Sequence, residues 1–313
     1  MIDLGLVVAR LLHYAAVTTL AGVSFFPLYA YADAEPIVLF RWRQGVLFAA
    51  AIAALLSGVL WFVFSVANMS GTLADVADRE VLRTVLNETT FGRVWTARLV
   101  ISIITVGLFW NRVVSKYGPP RRDLITPVLA AVLLISLAGV GHSQIEEGVE
   151  GIIHIVSDAG HLLAAGAWLG GLMPLCYTLL LHGRERERPA QRSDLNEILV
   201  RFSSIGYVAV ATLIGSGLLN GWFLIGNVSG LFATPYGQLL IVKLVLFAGM
   251  LALAVSNRFW IVPSLTKART DDPNGSTAST ARLRNHVLGE QFLGIMVLLV
   301  VSVLGTMRPA IGQ

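Results

Sequence analysis

Eight apolar stretches recur along the chain, at about 4–30, 45–67, 94–115, 124–141, 152–181, 202–226, 237–260 and 287–307. A helix needs about 20 such residues to cross the hydrocarbon core of a bilayer. In lipid the backbone must satisfy its own hydrogen bonds, so segments of this kind fold as spanning helices. Only 13% of the 313 residues are charged, 55% are hydrophobic, and the mean hydropathy is +0.72. Soluble domains carry about 25% charged residues. That deficit excludes a soluble globular enzyme, a disordered tail and a nucleic-acid binder. The first stretch carries Asp3 and His13 and has no small-residue cleavage site, so it reads as a retained span rather than a signal peptide. The fourth is the shortest, with Pro127 in its first turn, where proline is tolerated. The expectation is an all-α integral membrane protein of eight transmembrane helices.

The basic residues give the orientation. Loops after spans one, three, five and seven hold 16 of the 23 Lys and Arg, among them Arg112, Arg121, Arg184, Arg258 and Arg284. The loop between spans four and five has none, but has Glu146, Glu147 and Glu150. Cytoplasmic loops concentrate Lys and Arg, so both termini are expected outside, in the periplasm if the cell is Gram-negative. The outer loop 68–93 suits a surface helix, and Thr270–Ala281 reads as a polar linker. No GxxxxGK[ST] motif is present, so no nucleotide is expected. The single cysteine, Cys176, excludes an intrachain disulfide or a thiolate metal cage.

The chain also matches itself. Asn68-Met69-Ser70-Gly71 matches Asn227-Val228-Ser229-Gly230 at an offset of 159, and Ser57-Gly58 matches Ser216-Gly217 at the same offset. Thr89-Thr90-Phe91-Gly92 resembles Thr234-Pro235-Tyr236-Gly237, a register that sets Arg98 on Lys243. His13 with Gly22 nine residues on matches His161 with Gly170 nine residues on. Ser136 and Gly139 pair with Ser302 and Gly305. This pattern predicts two four-helix halves, 1–142 and 143–313, in a tandem (4+4) parallel repeat. Sites in repeat folds lie near the midplane between the halves.

Ionisable residues deep in a membrane are costly and usually functional. His13 and His161 lie near mid-depth in equivalent spans. The bland alternative for each is a neutral imidazole that glues helices together. His154, Asp158 and His161 follow at spacings of four and three, one face of one helix. Imidazole and carboxylate suit Cu(II) and Zn, or Asp158 could orient an imidazole from behind. His142 ends span four at the outer mouth, with Met69 in the neighbouring outer loop, and a thioether favours Cu(I). The candidate metal-ligating set is therefore His13, His142, His154, Asp158, His161 and Met69. Arg98 and Lys243 read as a symmetric pair near the outer third, with snorkelling anchors as the bland alternative, and Glu290 as the partner of an inner-leaflet cation. No catalytic constellation emerges, so an enzyme is not expected.

At these residues the sequence resembles the copper resistance protein D family (CopD/PcoD). The resemblance rests on Asp158-Ala159-Gly160-His161, Trp168-Leu169-Gly170-Gly171-Leu172 and Arg201-Phe202-Ser203. It continues through Gly217 with Asn220, Thr234-Pro235-Tyr236-Gly237, Lys243-Leu244, Asn257-Arg258, and Glu290 with Pro309. It implies an eight-span inner-membrane protein that moves copper inward beside a separate periplasmic copper-binding protein of the CopC type. Six methionines are few for a thioether channel and favour histidine coordination. Two functional readings follow. In the first, copper, as Cu(I) or Cu(II), is collected by His142 and Met69, passed by His154 and Asp158, and held by His161 with His13. In the second, His13 and His161 ligate haem b in an electron-transfer protein, of which a cupric reductase is one form. Two imidazoles from different helices are what bis-histidine ligation needs, and Ala15, Ala16, Ala164 and Ala165 leave room for a macrocycle. An inert scaffold with satisfied histidines is the third.

Overall fold

The structure is a computed structural model that describes residues 1–32, 35–114, 123–140, 148–184, 190–265 and 273–312. Among these residues the regular structure is helical throughout, with no strand. The principal helices are α1 (Ile2–Ala30), α2 (Ile37–Ser70), α3 (Arg79–Glu88), α4 (Thr90–Val114), α5 (Ile125–Ile135), α6 (Gly148–Ala165), α7 (Gly171–Arg184), α8 (Ala190–Ile225), α9 (Val228–Ala233), α10 (Pro235–Ser256) and α11 (Pro273–Leu304). A π-helical turn, Gly166–Gly170, joins α6 to α7, and another, Asn257–Ile261, follows α10. Seven helical stretches are long and apolar enough to cross a membrane. The expected fourth span, 124–141, appears as the shorter apolar stretch Ile125–Val140, an 11-residue α-helix ending in a 3-10 turn. The loop 68–93 contains α3, largely exposed as expected, while the polar segment read as a linker is helical from Pro273 onward.

Helix α1 lies at the centre, packed on α2, α5, α7, α8, α11 and the first π turn. Its burial has a local cause in Gly22 and Gly170, whose backbones touch: a Cβ on either would run into the other's backbone. Small residues let helices approach this closely where lipid provides no hydrophobic drive. Helix α10, by contrast, buries few of its apolar side chains and exposes Val242 and Val245 among others. An apolar exterior is what a helix facing hydrocarbon requires.

The matched Thr-x-x-Gly motifs perform one job twice. Thr89 Oγ1 accepts from Gly92 N at 2.9 Å and donates to Val85 O at 2.6 Å. Thr234 Oγ1 accepts from Gly237 N at 3.1 Å and donates to Gly230 O at 2.7 Å. Each threonine thus caps the next long helix while bonding back to the short helix before it. Both glycines sit against backbone carbonyls, Val85 O and Gly230 O, where a side chain would collide. The Asn-x-Ser-Gly match is different. Gly71 ends α2 with a positive φ of 96°, whereas Asn227 starts α9 by accepting from Gly230 N at 2.8 Å. The glycine that ends α8 is Gly226, φ 72°.

At the ends of the spans, two ion pairs fasten the connections. Arg43 forks onto Glu35 through Nε and Nη2, at 2.9 and 2.8 Å. Burial nevertheless pushes the Glu35 carboxyl up, against the opposing pull of Arg43. Between α4 and α5, Asp123 pairs with Arg112 and accepts from Thr126 Oγ1 at 2.6 Å. Burial pushes this carboxyl up, but Arg112 and Thr126 outweigh it and hold Asp123 below the usual carboxylate range.

Candidate functional site

His13 is enclosed by its own half of the molecule and only 2% exposed. Trp61 and Trp95 flank the ring, at centroid distances of 5.6 and 5.8 Å. Its Nδ1 lies 3.1 Å from Ala54 O and 3.1 Å from Ser57 Oγ. A carbonyl only accepts, so the ring proton sits on Nδ1 and Nε2 is the acceptor. Arg98 Nη2 donates to that Nε2 at 2.6 Å. Arg98 also donates to Leu133 O at 2.7 Å and to Ser136 Oγ. Both nitrogens of His13 are therefore engaged, and Arg98 is a buried partner rather than an anchor reaching for the interface. Snorkelling is the usual fate of a lone arginine; here three acceptors keep it inside.

His161 repeats the first half of this arrangement and departs from the second. Its Nδ1 lies 2.9 Å from Ser216 Oγ, and Ser216 spends its own proton on Thr212 O at 2.6 Å. Ser216 must then accept, which places the ring proton on Nδ1 and leaves the lone pair on Nε2. Gly58 and Gly217 clear space for the two rings: a Cβ would stand 3.4 Å from His13 Cε1 and 3.9 Å from His161 Cε1. No described residue hydrogen-bonds to His161 Nε2, and the ring lines a cavity of about 230 Å³. His13 does not line it. Tyr14, stacked edge-on against Trp61 at 5.4 Å, lines the cavity from the His13 side.

The cavity also takes in His154, Asp158, Asn220, Tyr236 and Lys243. Asn220 fixes the acid: its Nδ2 donates to Asp158 Oδ1 at 3.2 Å while its Oδ1 accepts from Ser157 Oγ at 2.8 Å. Lys243 faces both Asp158 and His161 within electrostatic range. The His154 ring is stacked on Phe223 at 4.7 Å. His154 and His161 are seven residues apart, about 10 Å along the axis at the helical rise, so they cannot ligate one ion together without bending the helix. Asp158 stands between them, one turn from each. Among the described residues no three His, Cys, Asp or Glu form a ready metal cage. Met69 is half-exposed at the end of α2, and His142 lies outside the described residues.

Sequence reading thus found the stripe on α6 but missed Asn220, Tyr14 and Tyr236 as its surroundings, and paired Lys243 with Arg98 without placing it in the cavity. The signal for Lys243 was present in the register that set it on Arg98. Glu290, expected to pair with a cation, accepts instead from Asn257 Nδ2 at 2.6 Å and from the Trp168 side chain.

Fold and site together define a multi-pass helical membrane protein with an imidazole- and carboxylate-lined cavity whose titratable side chains come mainly from α6 and α10, closed on one side by Tyr14 and Thr18 of α1. Residues 1–152 match the family described as copper resistance protein D-like, N-terminal domain, and residues 196–304 match copper resistance protein D. The chain is 31% identical to "Copper resistance protein D" of Pseudomonas syringae pv. tomato over 97% of its own length and 96% of that protein's. It is 31% identical to "Inner membrane protein YebZ" of Escherichia coli over 83% of each chain. It is 30% identical to "Copper transport protein CutJ" of Bacillus subtilis, over 78% of this chain and 44% of that one. The chain belongs to the copper resistance protein D family. No solved structure matches it.

Proposed function

We propose that this protein carries copper across the bacterial inner membrane, inward from the periplasm, through the cavity that His161 lines. The observation that carries the reading is the free Nε2 of His161, held toward the cavity by Ser216 with Asp158 one turn away. Imidazole nitrogen and carboxylate oxygen form a donor set suited to Cu(II), and imidazole also to Cu(I). Copper, as the cargo, would be handed along the stripe from His154 by way of Asp158 to His161, one ion at a time. Lys243 supplies the countercharge to Asp158 in the empty cavity, so an arriving cation takes over a carboxylate already compensated. His142 and Met69 would serve as collectors at the mouth, fed by a separate periplasmic copper-binding protein of the CopC type. The chain would act as a transporter, not an enzyme.

The paired surroundings of His13 and His161 support the tandem reading, with eight spans, halves at 1–142 and 143–313, and both termini periplasmic. Equivalent residues meet at Gly22 and Gly170, as they would beside an axis relating two copies. In this account the first copy has exchanged ligation for structure: Arg98 occupies the lone pair that His13 would need to bind a metal. The same contact speaks against haem held between His13 and His161, since each axial imidazole must offer a free nitrogen. Reconstituted vesicles tightly sealed against leakage test the transport reading. Copper uptake should be present with the native chain and lost with His161→Ala, while His13→Ala, if folded, keeps it. Equal uptake by native and His161→Ala vesicles overturns the proposal.

A further inference from the structure

A second ionisable site lies farther along the same helices, apart from the histidine stripe. Glu290 on α11 is 2% exposed and makes no ion pair with any described residue. Its two protein partners both come from π-helical turns: Trp168 from Gly166–Gly170, and Asn257, which opens Asn257–Ile261. A π turn inserts a residue into an α-helix at a cost in stability and is found most often at functional sites. Two of them converging on one buried carboxyl is the structural observation here. The first is locked from behind by α1, through the Gly22–Gly170 contact, so Trp168 has a fixed seat.

The chemistry of the partners is unusual for a carboxylate. Asn257 Nδ2 donates to Glu290 Oε1 at 2.6 Å, yet Asn257 Oδ1 is buried with no hydrogen-bond partner. A buried amide oxygen without a hydrogen bond is destabilising, so it calls for an explanation. An amide turned by half a revolution exchanges donor for acceptor at the same position. Asn257 can therefore serve a carboxylate with its NH2, or a carboxylic acid O–H with its Oδ1. Glu290 also borders a cavity of about 120 Å³ shared with Trp168, Asn257, Arg258 and Tyr207, and Tyr207 is half-exposed at its edge. This cavity and the histidine cavity have no lining residue in common. Between their levels Trp168 packs edge-on against Phe247 at 6.0 Å.

We infer that Glu290 and Asn257 form a proton-binding site, loaded from the second cavity, in which the amide turns over as the carboxyl gains or loses its proton. The proton forms an O–H bond on a Glu290 carboxylate oxygen, the hydrogen bond from Asn257 Nδ2 to that oxygen is given up, and the new O–H donates a hydrogen bond to Asn257 Oδ1 in its place. Other ionisable groups on the surrounding elements include Arg258 beside Asn257, Glu197, Arg201 and Tyr207 on α8, Cys176, Tyr177 and His182 on α7, and Arg282, Arg284 and His286 on α11 itself. Arg258 Nε donates to Tyr207 Oη at 3.3 Å, leaving the carboxyl to its two neutral partners. The site stands whether or not the chain moves copper, since it uses none of the His161 donors.

Infrared difference spectra of the full-length, copper-free protein between acid and alkaline buffer test it. The expected result is a carboxylic-acid C=O band that appears on acidification, is absent in Glu290→Gln, and moves in frequency and midpoint in Asn257→Leu. Identical difference spectra for the native chain and folded Glu290→Gln overturn the proposal. If Glu290→Gln does not fold, Asn257→Leu decides: an unmoved band overturns it and a shifted one supports it. Copper binding measured on the same variants separates the two readings, since loss of the band with intact copper binding leaves the His161 assignment standing.

Discussion

Substituting Gly22 by alanine adds one methyl group at the place where α1 meets the first π turn. The added Cβ runs into the Gly170 backbone, and its counterpart on Gly170 would lie 2.8 Å from Gly22 Cα and 3.0 Å from Gly22 N. Neither obstacle is a flexible side chain, so the helices themselves must separate. Gly107, Gly206 and Gly215 also lie in long helices but have nothing within 4 Å of the added atom. Alanine gains about 1 kcal/mol over glycine in a helix interior, a gain common to all four positions. The difference between Gly22→Ala and Gly107→Ala is therefore the overpacking cost alone, about 1–3 kcal/mol. Because Gly22 and Gly170 touch, the double alanine variant should lose less than the two single losses together, with a coupling of about 0.5–3 kcal/mol. Reversible unfolding of the purified protein in mixed detergent micelles measures all of these. Equal stabilities for Gly22→Ala and Gly107→Ala would refute the close approach and the central seat of α1.

Arg98→Leu leaves His13 Nε2 without its donor, while Leu133 O keeps Ser136 Oγ, and should destabilise the fold by about 1–3 kcal/mol, the usual cost of an orphaned buried polar group; an unchanged unfolding midpoint would contradict the geometry. Ser216→Ala removes the acceptor that holds the His161 proton on Nδ1, and should lower copper affinity about 10- to 100-fold, read by competition with a chromogenic chelator. Asp158→Asn should weaken copper binding without abolishing it, provided His161 remains the central ligand. Asp123 is held below the usual carboxylate range in the folded chain, so its pairing stabilises above the unfolded-state pKa and is lost as pH falls through the folded-state value. Asp123→Asn should accordingly flatten the acid limb of the stability profile and leave the neutral region little changed in slope.

Much of this was legible because lipid imposes simple rules. Apolar length alone located the long spans, and it was weakest at Ile125–Val140, where the helix is too short for length to speak. Spacing put His154, Asp158 and His161 on one face, but that the outer two are too far apart for one ion follows only from an unbroken α6 between them. The register between the halves paired Ser57 with Ser216 and Arg98 with Lys243, and each pair contacts or faces its histidine. What hid Arg98 was an energetic default: a lone arginine in a span is expected to snorkel, and only tertiary contacts supply the three acceptors that keep it buried. The two π turns left no trace in composition, since an inserted residue changes the phase of a helix without demanding a particular side chain. Asn220 and Asn257 were recognised as matching residues, but their duties depend on what the neighbouring helix presents.

The central claim is that His161, and not His13, ligates copper in the cavity. X-ray absorption at the copper edge, with elemental analysis of the same detergent-purified samples, tests it most directly. The account predicts about one copper per chain (one free imidazole site being open to it) with nitrogen neighbours near 2.0 Å and the outer-shell scattering of imidazole. His161→Ala should lose that signal and folded His13→Ala should keep it. Full copper retention with unchanged scattering in His161→Ala, or a Soret band with stoichiometric iron in the native protein, would contradict it.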